Sequence, residues 1–393
     1  MRYLTIDDIE PSGFRVLVRS DLNVPLDGGR MADDFRIRAA LPTIQALRER
    51  GARVVVCSHL GRPKGPDPDL RMDPVAARLA EIGGFGVHKV DDVAGPRAAE
   101  AVEAMGPGDV VLLENTRFEP GETKNDPVLA DRLAALCDLF VQDAFGSVHR
   151  AHASTVGVAE RVRSVAGLLL VRELDAFSRF LGEPERPYVV VLGGAKVSDK
   201  LGVVRSLLPK TDAMLIGGGM CFTLLAAEGY EVGESLVEEE MLDTVREVMA
   251  GPGGDKIQLP TDVVVADRFA PDAPWRVTEA KAIPDEGVGL DIGPATAERF
   301  AAVVEGAGSV FWNGPMGVFE WEPFRAGTAR VAQAMADTSA FTVVGGGDSV
   351  AALRMLGLED RVSHVSTGGG AGLELLEGRP LPGVEVLERW VDG

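Results

Sequence analysis

The sequence predicts an α/β protein with mainly parallel sheets, and three observations carry that expectation. Short, wholly apolar runs such as Tyr188–Leu192 have the composition of strands buried on both faces. Amphipathic stretches of helical length separate these runs almost throughout, as crossover connections between parallel strands require. The runs of the second half end in glycine-rich turns, and an open parallel sheet binds its ligands outside the carboxyl ends of its strands.

Taken in order, residues 14–18 form the first strand. Residues 36–50 form a helix whose Ile37, Leu41, Ile44 and Leu47 share one face. Strands at 54–57 and 110–113 follow, separated by a helix near 74–82. A helix at 129–136 then precedes a strand at 139–141. Residues 168–181 form a long amphipathic helix without internal glycine or proline, which Gly182-Glu183-Pro184-Glu185-Arg186-Pro187 stops. The strand at 188–192 opens a second half that repeats the pattern. Strands fall at 213–216, 263–265, 309–312 and 341–344, with helices near 203–208, 295–304, 329–336 and 350–355.

A chain of 393 residues is long for one core, so two domains are expected. The stop after the long helix marks their boundary, and the helix is the connector. The net charge of −20 argues against general nucleic-acid or anionic-membrane binding, since phosphate backbones demand basic surfaces. The charge is uneven. Residues 1–186 carry 24 basic and 29 acidic side chains, net −5, whereas residues 187–393 carry 16 and 31, net −15. Cys57, Cys137 and Cys221 are scattered in apolar surroundings and read as buried thiols. Residues 1–11 lack the apolar core of a signal peptide, and no apolar stretch reaches the length of a membrane span. A reduced, cytoplasmic protein is expected.

Chemistry in the second half starts at Leu192-Gly193-Gly194-Ala195-Lys196-Val197-Ser198-Asp199-Lys200. A strand ends in two glycines, and a helix-like pattern opens with two of the chain's eight lysines, out of forty basic residues. Such a turn aims N–H groups at an anion; an ordinary βα turn with two solvated lysines has the same letters. Four further turns accompany it at Gly217-Gly218-Gly219, Asn313-Gly314-Pro315, Gly345-Gly346-Gly347 and Gly368-Gly369-Gly370. Together they suggest one crevice where backbone approaches a ligand. Neither a Walker-type loop nor a dinucleotide Gly-x-Gly-x-x-Gly is present, which weakens a nicotinamide oxidoreductase reading. Asp348 either caps the following helix or holds a Mg²⁺ carried by a nucleotide, since such a cation needs only one or two protein carboxylates. Trp312 to Phe319 places an apolar wall ahead of Glu320. That suits an adenine face with a ribose acceptor, or else a core loop with a surface glutamate.

In the first half, Asp21 and Asn23 follow the first strand and can both hydrogen-bond a polar ligand; an Asx-turn is the other reading. His59 and Arg62 follow the strand at 54–57, Arg117 follows the strand ending near Glu114, and Arg150 lies beyond the strand at 139–141. Arg36 sits near the start of the first helix. Arginine presents a planar fork suited to phosphate or carboxylate, so guanidinium groups at successive strand ends point to a polyanion pocket. His59, His149 and His152 fit no metal-ligand set and read as hydrogen-bonding groups in or beside that pocket.

These motifs together resemble one family closely. Arg19-Ser20-Asp21-Leu22-Asn23-Val24-Pro25, Ser58-His59-Leu60-Gly61-Arg62-Pro63, Glu114-Asn115-Thr116-Arg117-Phe118 and His149-Arg150-Ala151-His152-Ala153-Ser154 are similar to the first-domain signatures of phosphoglycerate kinase. Residues 192–200, 217–220, 312–320, 345–349 and 366–371 are similar to its second-domain signatures, in the family's order and over essentially the whole chain.

The resemblance implies two Rossmann-like three-layer α/β/α domains joined by a long helix and hinge. They would comprise a 3-phosphoglycerate-binding domain at 1–170, a connector at 171–187, a nucleotide-binding domain at 188–380, and a segment at 381–393 that returns to the first domain. It implies reversible Mg²⁺-dependent phosphoryl transfer from 1,3-bisphosphoglycerate to ADP by a monomer, with no nucleic-acid or membrane partner. Asp21, Asn23, Arg36, His59, Arg62, Arg117 and Arg150 would bind the phosphoglycerate. Lys200, Glu320, Gly346, Gly347, Asp348 and Ser349 would bind ADP or ATP, with Asp348 serving the metal. Arg36 and Lys196 would flank the transferring group, which requires hinge closure. The chain departs from the family pattern at Gly372 (Ser expected), Ser147 (Thr expected) and Cys221 (Ala expected).

Overall fold

The computed structural model describes residues 2–28 and 30–391. The chain divides into two compact units, Met1–Asp175 with Pro380–Gly393, and Ala176–Arg379. The division thus falls inside the helix Leu168–Leu181, earlier than the stop at 182–187. Of the returning segment expected at 381–393, Asp392 and Gly393 lie outside the described residues. Its described part packs in the first unit, where Gly383 N–H donates to Val148 O at 2.9 Å and Trp390 Nε1 to Ala159 O at 2.9 Å.

The first unit holds a six-stranded sheet. In spatial order its strands are His88–Lys89, Val110–Leu112, Arg53–Cys57, Arg15–Arg19, Leu139–Gln142 and Ser164–Ala166, all parallel. Val54, Val55 and Val56 are all buried, as a strand covered on both faces demands. Each contributes about 1.5–3 kcal/mol on burial. The helix Phe35–Glu49 lays Ile37, Ala40, Thr43, Ile44 and Leu47 against the core.

The second unit repeats the plan with Ile257–Gln258, Ala213–Ile216, Tyr188–Leu192, Ser309–Asn313, Phe341–Gly345 and His364–Val365, again all parallel. The strand expected at 263–265 is not part of this sheet. Asp262–Ala266 is the centre of a separate antiparallel sheet between Trp275–Glu279 and Val288–Ile292. A short valine run does not disclose the direction of its partners. No helix among the described residues is long and apolar enough to cross a membrane.

Candidate active site

In the first unit, four adjacent parallel strands end on the same edge, and each continues into predicted site residues. Asp21 and Asn23 follow Arg15–Arg19, His59 and Arg62 follow Arg53–Cys57, Arg117 follows Val110–Leu112, and Arg150 follows Leu139–Gln142. The first turn of the helix Phe35–Glu49 supplies Arg36, whose Nη1 donates to Asp21 Oδ2. Asp21 is only 2% exposed. Burial alone would raise its carboxyl, but Arg36 and Arg19 outweigh burial and hold it at about 2.

Asn23 Oδ1 accepts the Gly61 N–H at 2.7 Å, so it fastens the His59–Arg62 loop to the neighbouring strand end. Arg117 fastens the same loop by donating from Nη1 to Gly61 O at 2.5 Å. Burial, then the charges of Arg150, Arg19 and Arg62, lower the Arg117 guanidinium from its ordinary value. That direction records a convergence of positive charge. Arg62 and Arg150 are exposed. His59 is buried and held well below its ordinary range, by burial first and then by Arg19, Arg117 and Arg36 against the pull of Asp21. His152 is held at about 4 by burial and by Arg19, Arg117 and Arg150, so both rings are neutral at pH 7.

Sequence reasoning assigned no role to the groups beneath this edge. Arg19 is fully buried and donates from Nε to Ser154 Oγ at 2.8 Å. Ser154 in turn donates to the buried Glu122 at 2.5 Å. Gly146 admits the Asp21–Arg36 pair, for a Cβ there would lie 2.0 Å from Asp21 Oδ2 and 3.4 Å from Arg36 Nη1. A glycine inside a motif gives no local sign of which distant atom needs its space.

In the second unit, the five glycine-rich turns follow five adjacent parallel strands. Their backbones touch: a Cβ on Gly193 would lie 2.1 Å from Pro315 O, and one on Gly218 2.5 Å from Gly194 N. Lys200 Nζ lies 3.5 Å from the Cβ position of Gly194, so its ammonium reaches back over the turn. Burial lowers the Lys200 ammonium from its ordinary value, opposed by Asp199 and Asp348.

The helix expected near 203–208 runs over Leu201–Leu207, so both lysines precede it. Residues 193–200 are a loop, ordered from a distance by Glu238, which accepts Ser198 N–H at 3.0 Å and Ser198 Oγ–H at 2.5 Å. Lys196 is exposed on this loop. Gly347 and Asp348 are exposed, and the Asp348 carboxylate makes no hydrogen bond among the described residues. Ser349 is buried, and its Oγ accepts Gly314 N–H at 2.5 Å; it ties two turns together rather than facing outward. Glu320 is exposed.

Trp312 and Met316 are fully buried, and Trp312 Nε1 donates to Gly314 O at 2.8 Å. The wall read as an adenine face is therefore core at these two residues. Beside Gly346 lies the buried Asn313 amide, whose Nδ2 has no partner among the described residues. Of the departures, Gly372 leaves room for the Phe177 ring, since a Cβ there would lie 2.4 Å from Phe177 Cζ. Cys221 is a buried thiol whose pKa burial raises, and Ser147 is buried.

One edge that gathers guanidinium groups and another built of glycine turns with a lysine and a free carboxylate define a phosphoryl-transfer enzyme on an α/β frame. Comparison with known proteins specifies the class. Residues 6–379 match phosphoglycerate kinase, and the chain belongs to the phosphoglycerate kinase family. It is 59% identical over 398 residues to the phosphoglycerate kinase of Frankia alni, covering 98% of this chain and 99% of that one. It is 57% identical over 399 residues to that of Salinispora arenicola, covering 99% and 100%. Among solved structures, phosphoglycerate kinase from Coxiella burnetii has a TM-score of 0.87 at 42% identity, covering 99% of each chain. That from Pyrococcus horikoshii OT3 has a TM-score of 0.91 at 32% identity, covering 99% of each chain. Family membership makes the protein a phosphotransferase with a carboxyl group as acceptor.

Proposed function

We propose that the two edges divide the work of the phosphoglycerate kinase reaction, the reversible transfer of a phosphoryl group from 1,3-bisphosphoglycerate to ADP. Asp21, Asn23, Arg36, His59, Arg62, Arg117 and Arg150 bind 3-phosphoglycerate or its acyl phosphate. Lys200, Glu320, Gly346, Gly347, Asp348 and Ser349 form the ADP/ATP site, Ser349 by holding the turn. Arg36 and Lys196 flank the group in transit. The observation that carries this reading is the convergence of guanidinium groups on the first edge. Arg117 feels Arg150, Arg19 and Arg62, while Asp21 is paired with Arg36. A convergent guanidinium set of that kind is stable once an anion fills it.

No general base is needed in the ATP-forming direction. The attacking ADP oxygen is already ionised, the bond from phosphorus to the acyl oxygen breaks as the new P–O bond forms, and the carboxylate leaves with the electron pair. The protein's task is direct, in-line positioning with charge stabilisation. One cation–anion contact at about 4 Å and an effective dielectric near 20 is worth roughly 4 kcal/mol before desolvation. Lys196 and Arg36 can thus supply an appreciable part of the roughly 8–23 kcal/mol typical of enzymes.

Mg²⁺ fits the second edge. Asp348 is an exposed carboxylate without a hydrogen-bond partner among the described residues, and one such oxygen suffices for an ion that keeps waters and phosphate oxygens as its other ligands. Asp348 would hold it, and the ion would neutralise nucleotide phosphate charge in a half of the chain with net charge −15. The protein acts as a cytoplasmic monomer on this reading. A coupled assay with Mg-ATP and 3-phosphoglycerate tests the whole of it. Turnover dependent on both substrates is expected, and binding without turnover would mark an anion and nucleotide sensor instead.

A further inference from the structure

His59 is a ring at the arginine edge whose donor and acceptor atoms are fixed by what lies behind it. Arg19, the last residue of the strand Arg15–Arg19, has every guanidinium nitrogen engaged. Nε donates to Ser154 Oγ at 2.8 Å, Nη1 donates to Ser20 O, and Nη2 lies 3.1 Å from His59 Nδ1. A guanidinium has donors and no acceptor. His59 Nδ1 must therefore offer its lone pair, and the proton of the neutral ring sits on Nε2.

The far end of the chain is as determinate. Ser154 Oγ accepts from Arg19 and so gives its own hydrogen to Glu122 Oε1 at 2.5 Å. Glu122 also takes the Ser154 backbone N–H at 3.1 Å. Glu122, Ser154 and Arg19 are all fully buried, so water does not compete for these bonds. His59 Nε2 makes no hydrogen bond among the described residues.

We propose that Arg19 is a positioning residue for the anion site: through its bond to Nδ1 it locks His59 as the Nε2–H tautomer and so presents an N–H donor to a carboxylate or phosphate oxygen of phosphoglycerate. The opposite tautomer would set a lone pair against an anion. The neutral ring agrees with the burial of His59 among guanidinium groups. The inference rests on the assignment of this edge to phosphoglycerate.

The test is ¹⁵N NMR of the full-length, ligand-free protein at pH 7, with His59 identified among the five histidines by the signals lost in His59→Gln. A pyridine-type Nδ1 and a pyrrole-type Nε2 are expected, with the Nε2 signal moving on addition of 3-phosphoglycerate. A protonated Nδ1, alone or in an imidazolium, overturns the proposal without any further variant. Arg19→Met is expected to give a mixture of tautomers and to raise KM for 3-phosphoglycerate about tenfold, the loss of one charge-assisted hydrogen bond, with KM for ADP unchanged. Arg19→Lys, which keeps one donor, is expected to recover part of the tautomer preference. Should Arg19→Met not fold, Ser154→Ala, which releases Nε, carries the same expectation in weaker form. An Nε2–H ring in a protein that does not bind 3-phosphoglycerate overturns the site assignment and the donor role with it. Binding with His59 in the Nδ1–H form overturns this inference alone.

Discussion

Asp21 and Arg36 meet because residue 146 has no side chain. A Cβ there would lie 2.0 Å from Asp21 Oδ2, well inside contact distance, so Gly146→Ala must push the carboxylate or Arg36 aside. Overpacking of this kind costs about 1–3 kcal/mol. Because it falls on a proposed ligand group, the expected outcome is a rise in KM for 3-phosphoglycerate of about tenfold or more with KM for ADP unchanged; steady-state kinetics check it. Lys196 calls for the opposite pattern. It is exposed on the loop that Glu238 orders, and its proposed partner is the phosphoryl group in transit rather than either bound substrate. Lys196→Ala should lower kcat by roughly 10²–10³, the usual effect of removing one transition-state donor, while ADP binding measured by calorimetry stays near the wild-type value. Equal losses in ADP affinity and kcat would place Lys196 on the nucleotide instead.

The helix Leu168–Leu181 depends on side chains that come from other elements. The Leu168 N–H donates to Thr43 Oγ1 at 3.0 Å, and the N–H groups of Leu169 and Leu170 donate to Asp143 Oδ1 at 2.9 and 3.2 Å. Burial pushes the Asp143 carboxyl up to about 7, above the pull of those N–H groups. The sign follows from the unfolded value near 3.8. The folded chain binds the proton more tightly, so the stability this group contributes is complete below about 4 and is lost as pH rises through about 7. Denaturation midpoints of the wild type should therefore fall between pH 5 and 8 by more than those of Asp143→Asn, which keeps an acceptor and has no proton to lose. Asp143→Ala should cost about 2 kcal/mol near pH 5 through the lost cap, and less near pH 8. The ends of this helix and the centres of the parallel strands were readable in the sequence, because apolar periodicity and the glycine–proline stop are local. The helix Met220–Ala227 was not, since seven of its eight residues are buried and a helix apolar all round shows no amphipathic stripe. That the two lysines lie on a loop rather than in a helix was hidden for another reason: Glu238, forty residues away, orders that loop. At the candidate site, Asp21, Arg62, Arg117 and Arg150 were proposed from their places after strands. Gly146, Ser154 and Glu122 could not, because their roles exist only through contacts across the sheet edge.

At the scale of the molecule, the residues proposed for the two substrates fall in different compact units. Arg36 belongs to one and Lys196 to the other, and the division runs through the helix Leu168–Leu181 at Asp175–Ala176. The first unit is completed by the end of the chain: Leu381, Val384 and Leu387 are buried, and Gly383 bonds to Val148, two residues before Arg150. On the proposed assignment, a group passing directly from an acyl phosphate to ADP must touch both sets of residues at one moment, and water is a competing acceptor until it does. Binding energy from both substrates is thus best used to bring the units together around a dry phosphoryl group. Either substrate alone reaches only one set and should give little of the change. Small-angle scattering should therefore show a smaller radius of gyration with 3-phosphoglycerate and a Mg²⁺-nucleotide together than with either alone, and Lys196→Ala should keep much of that compaction while losing turnover. Identical profiles for the free, singly bound and doubly bound protein would remove hinge closure from the mechanism. Transfer would then have to occur across an arrangement already present at rest.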